Sequence, residues 1–371
     1  MAIGMVVMHW DERIGVEIIG KFPDEIVLDE KTLMQLYSQH EFTGEPGMVS
    51  IMAGSTNLAS YYTGPESSVY VIMVLNTTED GDAYEDGLAE ISRQVLLNLD
   101  SETLAGVLPS LFQRLSVYPT LNEEQLLAMI YSDEPKRMIL KRLQQEAAIP
   151  KSELAIWLKD TKRDSFIDIE SIVASLVKST IIKIASVKGL ATDVAFLSED
   201  IMILRRPPVK LFLDPVEHHL PKSLKDSYKN QVRTFFKNYK PSEKDNLEII
   251  NKVILDPQCY EVLKLLREAM VTKNDIEKLR KKGVEDIDNT LKALWDSKMI
   301  AVFQDDSGTE YYCLITDFFA ELFFPKYNLD TVRKQYLSKS QNPKALLKAL
   351  DIMREEYLSI SKNRKASAKT K

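Results

Sequence analysis

The feature that most constrains this chain is an abrupt change of charge near residue 116. Residues 1–116 contain 18 Asp and Glu against 5 Lys and Arg, a net charge of −13, whereas residues 117–371 contain 37 against 43, a net charge of +6. Because surface charge governs which molecules a protein attracts, this step indicates two kinds of module with two kinds of surface. We therefore expect charged macromolecular partners rather than a buried small-molecule reaction.

The bulk composition is typical of a folded protein without a membrane span. A chain of 371 residues is long enough for two to four domains, and 44% hydrophobic with 28% charged residues is ordinary for globular proteins. The apolar runs have strand length, and acids follow the first one at Asp11, which argues against a transmembrane helix or a secretory signal. Cys259 and Cys313 give no disulfide framework. We expect a cytoplasmic protein.

The acidic segment has the pattern of one antiparallel sheet with helices packed against it. Two strand-like runs flank a tight turn at residues 11–15, and an amphipathic helix, three further strands and one or two helices follow. The predicted elements are strands Gly4–Trp10 and Val16–Lys21, helix Asp29–His40, strands Met48–Ala53, Leu58–Thr63 and Val69–Asn76, and helices Ala83–Leu99 and Glu102–Leu115.

This element order and the opening GMVVMHWDERIGVEIIGKFPDE resemble the longin fold, a member of the longin/roadblock group of small-GTPase platforms. The resemblance covers about Met1–Ser116, roughly a third of the chain. Profilin-like sensor domains share similar elements and stay open as an alternative. We take Asp11, Glu12 and Arg13, in the turn of the first hairpin, as candidate partner-binding residues.

The basic remainder contains one pattern twice: three helices followed by a hairpin, which is the winged-helix arrangement. The first copy has helical patterns between Glu123 and Lys178 and a predicted wing made of Ile181–Val187 and Phe196–Arg205. The second has helices Pro257–Met270, Thr272–Lys281 and Val284–Lys298, and a hairpin with the turn Asp-Asp-Ser-Gly at 305–308. The second copy resembles archaeal winged-helix proteins.

The predicted fold class is therefore α+β, with a longin-like antiparallel sheet and flanking helices, then two winged-helix domains and a C-terminal helical segment. The predicted segments are a longin-like domain at 1–116, winged-helix domains at 117–206 and 246–325, a linker with a basic helix at 207–245, C-terminal helices at 326–360 and a disordered basic tail at 361–371.

The charge of the predicted recognition helices argues against binding of duplex DNA by these helices. Val284–Lys298 carries Glu285, Asp286, Asp288 and Asp296 against two lysines, and carboxylates repel the phosphates that a DNA-reading helix must approach. The one strong basic cluster is Arg280, Lys281 and Lys282, which we take as the second group of candidate partner-binding residues. The stretch 223–238 is basic and amphipathic, so peripheral contact with a membrane surface is a further expectation.

No residue pattern that carries chemistry is evident in the sequence. His218 and His219 are adjacent, which is poor geometry for one metal ion, and neither cysteine has a neighbouring histidine or a CxxC spacing. We expect no catalytic, cofactor-binding or metal-binding residues and no enzymatic activity.

The layout of a longin-like domain followed by winged helices is similar to that of nitrogen-permease-regulator-like proteins. The resemblance implies action with Rag-type small GTPases, and related longin proteins serve GTPases of membrane trafficking. We expect an interaction scaffold, from an archaeon with trafficking components, whose first domain binds a small GTPase or forms a homo- or heterodimer. The alternatives are a winged-helix transcription regulator with an N-terminal sensor or dimerisation domain, and a tandem winged-helix subunit of a membrane-remodelling complex.

Overall fold

The computed structural model describes the backbone of residues 2–11, 13–161 and 169–369, and the side chains of the same residues except 101, 102 and 360–369. The chain folds into two compact units. The first unit combines Met1–Leu121 with Pro150–Ser179, and the second combines Asn122–Ile149 with Thr180–Lys371. The segment 117–206, predicted as one winged-helix domain, thus contributes residues to both units.

Strands dominate the beginning of the chain and helices its later parts. In the first 121 residues the elements are β1 (Gly4–Asp11), β2 (Gly15–Phe22), α1 (Glu30–Thr43), β3 (Gly47–Ala53), β4 (Thr56–Tyr62), β5 (Val69–Leu75), α2 (Glu85–Leu96) and α3 (Ser101–Ser116). Up to residue 206 they are α4 (Glu123–Ser132), α5 (Glu134–Gln145), β6 (Ile149–Pro150), α6 (Lys151–Thr161), α7 (Ile169–Lys178), β7 (Ile182–Ala185), β8 (Val194–Leu197) and β9 (Asp200–Arg206).

The remaining elements are α8 (Val209–Leu213), α9 (Lys225–Asn238), α10 (Glu243–Ile249), α11 (Pro257–Glu268), α12 (Lys273–Glu277), α13 (Ile287–Asp296), β10 (Ile300–Gln304), β11 (Glu310–Leu314), β12 (Asp317–Phe323), α14 (Asn328–Ser338) and α15 (Pro343–Lys369). Short 3-10 helices lie at Gly81–Tyr84, Tyr118–Thr120, Lys222–Leu224 and Lys278–Lys282, and a π-helical turn at Ile250–Ile254. The chain is thus α+β with an antiparallel N-terminal sheet, which confirms the predicted class at this level.

The first unit is built on a five-stranded sheet in the order β2-β1-β5-β4-β3, in which every pair is antiparallel. Side chains alternate across the sheet, so Met5 and Val7 lie on one face of β1 and Val6 and Met8 on the other. All seven residues of β5 are buried, because both faces of the central strand are covered.

The two faces carry different helices. Leu33 and Leu36 of α1 pack on the face that contains Val6 and Met8. Apolar residues of α2 and α3 cover the opposite face, among them Leu88, Ile91, Leu104 and Leu108. The α3 helix approaches β2 closely at Gly20, where an added Cβ would lie 2.7 Å from Leu108 Cδ1. A side chain at this position would push the helix away from the sheet.

The second unit contains the predicted second hairpin, with β10 paired to β11 from Ile300↔Leu314 to Gln304↔Glu310. The turn is held by Asp305, whose Oδ1 accepts hydrogen bonds from the backbone N of Ser307 and Thr309 at 2.9 Å each, and Gly308 supplies a left-handed φ of 83°. Helices α11, α12 and α13 precede this hairpin, as the sequence predicts.

The predicted wing at 181–205 differs from the structure. β7 pairs with β8, but β9 pairs with β12 over seven residue pairs, from Asp317↔Arg206 to Phe323↔Asp200. Two ion pairs explain why β9 pairs with β12. Arg206 of β9 pairs with Asp317 at one end of the ladder, and Arg205 of β9 pairs with Asp245 of the neighbouring helix α10. These partners are distant in sequence, so a local pattern does not reveal them.

The C-terminal helix is longer than expected. α15 continues to Lys369 and so includes residues 361–369 of the segment predicted as a disordered tail, whereas Thr370 and Lys371 lie outside the described residues. Lys, Arg and Ala are good helix formers, and elongation of an existing helix needs no new nucleus.

Arg205 is the most extensively bonded buried cation of the described second unit. Its Nε and Nη2 each lie 2.8 Å from an oxygen of Asp245, and its Nη1 donates to Ser297 O at 2.8 Å and to Thr316 Oγ1 at 3.1 Å. Its side chain is 3% exposed. Burial acts to raise the pKa of Asp245, but hydrogen bonds from Arg205 and Tyr239 lower it overall. The pair therefore fastens β9 to α10.

His40 of α1 is buried against the same sheet face as Leu36. Its Nε2 lies 3.0 Å from Ser60 Oγ of β4, and its ring contacts those of Tyr62 and Tyr70. Burial lowers the pKa of His40 from its ordinary 6.5 to about 4. The folded unit therefore favours the neutral imidazole.

We predict that the free energy of unfolding of the first unit decreases as pH falls. The folded pKa of His40 lies below its unfolded pKa, so its contribution is complete above pH 6.5 and is lost as pH falls toward about 4. A shift of this size corresponds to about 3 kcal/mol. Urea unfolding from pH 7 to 4, followed by fluorescence, measures the slope. His40→Gln should flatten it. Equal slopes in the wild-type protein and the variant would contradict the prediction.

We predict that Arg205→Met destabilises the second unit by about 3–5 kcal/mol, because Asp245 is left without its main partner and Ser297 O loses its donor. Urea unfolding at pH 7 measures the loss. The matched control is Lys252→Met, which breaks the exposed Lys252–Glu248 pair and should leave the unfolding free energy nearly unchanged. Similar decreases in the unfolding free energy for the two substitutions would show that the Arg205 network contributes no more than an exposed ion pair.

Candidate interaction surfaces

The first candidate group lies in the β1–β2 turn. Asp11 Oδ1 accepts hydrogen bonds from the backbone N of Arg13 at 2.8 Å and of Ile14 at 2.9 Å, and these bonds lower the pKa of Asp11. Gly15 completes the turn with a φ of 89°. Asp11 is thus used to build the hairpin, and Arg13 is exposed at its tip. Glu12, the third candidate of this group, lies outside the described residues.

The turn also presents an apolar side chain that sequence reasoning missed. Ile14 is 79% exposed beside Arg13, and Ile18 on the edge strand β2 is 43% exposed. The available signal was the isoleucine at the tip of a tight turn, where polar residues are usual.

The opposite edge of the sheet is formed by β3, which pairs with β4 on one side. Helix α1 packs against this strand, and Phe42 in its last turn is 92% exposed. Met52 of β3 is 51% exposed. Glu41 and Glu45 are exposed nearby in the chain. We call Phe42, Met52 and the side of β3 without a neighbour in the described sheet the β3 edge. Phe42 lies on the side that α1 covers, whereas Met52 alternates with Ile51 and Ala53 and points to the other side. The β3 edge thus offers a separate apolar side chain on each side of backbone groups that can accept another strand.

The second candidate group follows α12. Arg280 Nε donates to Glu277 Oε2 at 2.5 Å, and its Nη1 donates to Glu285 O at 2.7 Å. Arg280 therefore holds the connection between α12 and α13. Lys281 and Lys282 are exposed. The structure thus separates one cation with a structural task from two that face solvent.

The carboxylates of α13 and its N-terminal flank face outward. Glu285, Asp286, Asp288 and Asp296 are exposed, whereas Ile287, Leu291 and Leu294 are buried. Asp286 caps the helix by accepting from Asn289 N at 3.1 Å, and Asp288 pairs with Lys273 at 2.8 Å. Lys292 of α13 is exposed as well, so α13 and its N-terminal flank carry four exposed carboxylates against one exposed lysine.

A cleft of about 330 Å³ in the second unit is lined by Arg206, Lys210, Arg267, Glu268 and Asp317 among others. Its arginines already have anionic partners. Arg267 forms two hydrogen bonds with Glu124, at 2.8 and 3.1 Å, and one with Asp317 at 2.8 Å, and Arg206 shares Asp317. This cleft is therefore a poor site for an additional anion.

Within the part of the chain that the structure describes, the thiols and imidazoles form no reactive cluster. Burial raises the pKa of Cys259 and of Cys313, which keeps both as unreactive thiols near neutral pH. His218 Nδ1 lies 3.0 Å from Glu268 O. Among the described side chains, no group of three His, Cys, Asp or Glu residues is placed to hold a metal ion. No helix within residues 2–11, 13–161 and 169–369 is both long and apolar enough to cross a bilayer.

Comparison of the chain with protein-family models, with curated proteins and with solved structures finds no match in any of the three.

We predict that duplex DNA does not bind through the second candidate group. Lys281→Glu with Lys282→Glu should leave any affinity of the intact chain for duplex unchanged, because the neighbouring α13 presents carboxylates where phosphates would lie. Fluorescence anisotropy with a labelled duplex at several salt concentrations measures the affinity. Salt-sensitive binding that the double substitution abolishes would favour the transcription-regulator alternative.

Proposed function

We propose that this protein is a non-enzymatic interaction scaffold whose first unit binds a small GTPase or a second longin-like chain through the β3 edge. The observation that carries the proposal is the exposure of Phe42 at 92% next to an edge strand that has one neighbour in the described sheet. Burying a fully exposed phenylalanine against a partner contributes about 1.5–3 kcal/mol.

The longin-like character of the first unit is part of this proposal. Its element order is two strands, a helix, three strands and two helices, which is the order on which the resemblance rests. One helix packs on one sheet face and two on the other. Because both faces are covered, the edges and the β1–β2 turn with Arg13 are the accessible parts of this sheet. A Rag-like or trafficking GTPase is the partner class that the resemblance implies.

In the second unit we propose that the winged-helix-like segments bind partner proteins. The exposed carboxylates of α13 and its N-terminal flank support a protein partner over a duplex, since Glu285, Asp288 and Asp296 would repel phosphates. The transcription-regulator alternative depends on Lys281 and Lys282, which are exposed beside that acidic helix.

We predict that small GTPases co-purify with the intact tagged chain from lysate of its source organism and that Phe42→Glu with Met52→Glu lowers their recovery about tenfold, since two carboxylates would replace apolar contacts. Mass spectrometry of the bound fraction, with and without added GTP, measures recovery. The matched control is Ile156→Glu, because Ile156 is an apolar residue of the same unit that is 64% exposed on α6.

Two results would contradict this proposal. One is the absence of any small GTPase from the bound fraction together with a monomeric mass by light scattering, which would remove both partner classes. The other is an equal loss of partner with Ile156→Glu, which would show that the β3 edge is not the specific surface.

A further inference from the structure

A stripe of positive charge follows one face of α9. Lys225, Lys229, Arg233 and Lys237 recur every four residues, so their side chains stack along the helix over about 18 Å. Asp226 is the single acid of this helix. In the part of the chain that the structure describes, no carboxylate forms an ion pair with any of these four cations. Like charges at this spacing destabilise a helix, so the stripe favours an external anion.

Two exposed aliphatic side chains lie beside this stripe. Val209 and Leu213, four residues apart on α8, are 57% and 69% exposed. Between them in sequence, the side chain of Lys210 is 71% exposed and its Nζ lies 3.7 Å from Glu268 Oε2. The spacing of Val209 and Leu213 places both on one side of the helix. Exposed aliphatic groups at this spacing are unfavourable in water.

Contacts between α8 and α9 join the aliphatic pair to the cations. Lys229 Nζ donates to Leu213 O at 3.0 Å. The ring of Phe212 lies 5.5 Å from Lys229 Nζ and 5.5 Å from Arg233 Cζ, within reach of a cation–π interaction. Lys229 and Arg233 are therefore held next to Leu213. We call Val209, Lys210, Leu213 and the four cations the α8–α9 face.

We propose that the α8–α9 face binds the surface of an anionic membrane. Such a surface offers negative headgroups for the cationic stripe and, immediately below them, an apolar layer for Val209 and Leu213. The long Lys and Arg side chains reach the headgroups while the aliphatic groups enter the layer. A nucleic acid supplies phosphates for the stripe but no apolar environment for this aliphatic pair. The inference goes beyond the scaffold function and does not depend on the β3 edge.

The test is co-sedimentation of the intact chain with vesicles of phosphatidylcholine alone and with vesicles that also contain phosphatidylserine. We expect binding to the vesicles with phosphatidylserine that weakens as salt is added. Lys225→Gln with Lys237→Gln should weaken it about tenfold, since each cation near an anionic surface adds to the affinity. The cation–π contacts of Phe212 come from Lys229 and Arg233, so this substitution preserves them.

A second variant tests insertion. Val209→Ser with Leu213→Ser removes the aliphatic groups without changing charge and should also weaken binding about tenfold. Both sites are exposed, and an unchanged circular dichroism melting temperature will verify that the fold is retained. The matched charge control is Lys281→Gln with Lys282→Gln, which removes two exposed cations of the same unit and should leave vesicle binding unchanged.

Four outcomes would overturn the proposal. These are no vesicle binding, equal binding to both vesicle types, unchanged binding of the Val209→Ser and Leu213→Ser variant, or an equal loss in the charge control. Binding of a duplex that requires Lys225 and Lys237, in the absence of vesicle binding, would assign the stripe to nucleic acid.

Discussion

The constraint on which the first unit depends is that its central strand must be covered on both faces. All of β5 is buried, and the alternation along β1 sends Met5 and Val7 to one face and Val6 and Met8 to the other. Apolar surface on both faces requires a helix layer on each, which α1 supplies on one side and α2 with α3 on the other. A sheet covered in this way can meet a partner at its edges and turns. Arg13 lies in such a turn, and Phe42 is exposed in the last turn of α1, the helix that packs against the edge strand β3. The proposed function is based on these exposed residues.

Charge in the second unit is divided between cations with structural tasks and cations that face solvent. Arg205 and Arg267 bind carboxylates from other elements, and Arg280 joins α12 to α13. The net charge of this unit therefore overstates the number of cations that are available to bind a polyanion. The stripe on α9 differs because no described carboxylate pairs with it, and because an exposed aliphatic pair lies beside it. The combination of these two properties distinguishes a membrane surface from a nucleic acid as the proposed ligand.

Some features of the fold were predictable because they are encoded within a few residues. The β1–β2 hairpin follows from period-two alternation around a turn with Asp11 and Gly15, and the β10–β11 hairpin from the turn at Asp305–Gly308. The pairing of β9 with β12 was not predictable, since it joins residues that are distant in sequence, such as Arg206 and Asp317. Asp245 of α10 and Arg267 of α11 hold the two strands through further ion pairs. Of the candidate site residues, sequence reasoning placed Arg13 and Lys281 on the surface but assigned no structural task to Asp11 or Arg280.

The sequence by itself determined most of the local elements, the α+β class and the separation of an acidic segment from a basic one, because periodicity, turn chemistry and charge are properties of neighbouring residues. Only the tertiary structure decided which residues are free to interact. Phe42 lies beyond the predicted helix Asp29–His40 and Leu213 lies in the predicted linker, so no sequence pattern assigned a burial to either, and the structure leaves both exposed. In the sequence Arg205 is one basic residue among many, but in the structure it is buried and paired with Asp245. Burial depends on which distant elements pack together, and that information is not contained in any short stretch of the chain.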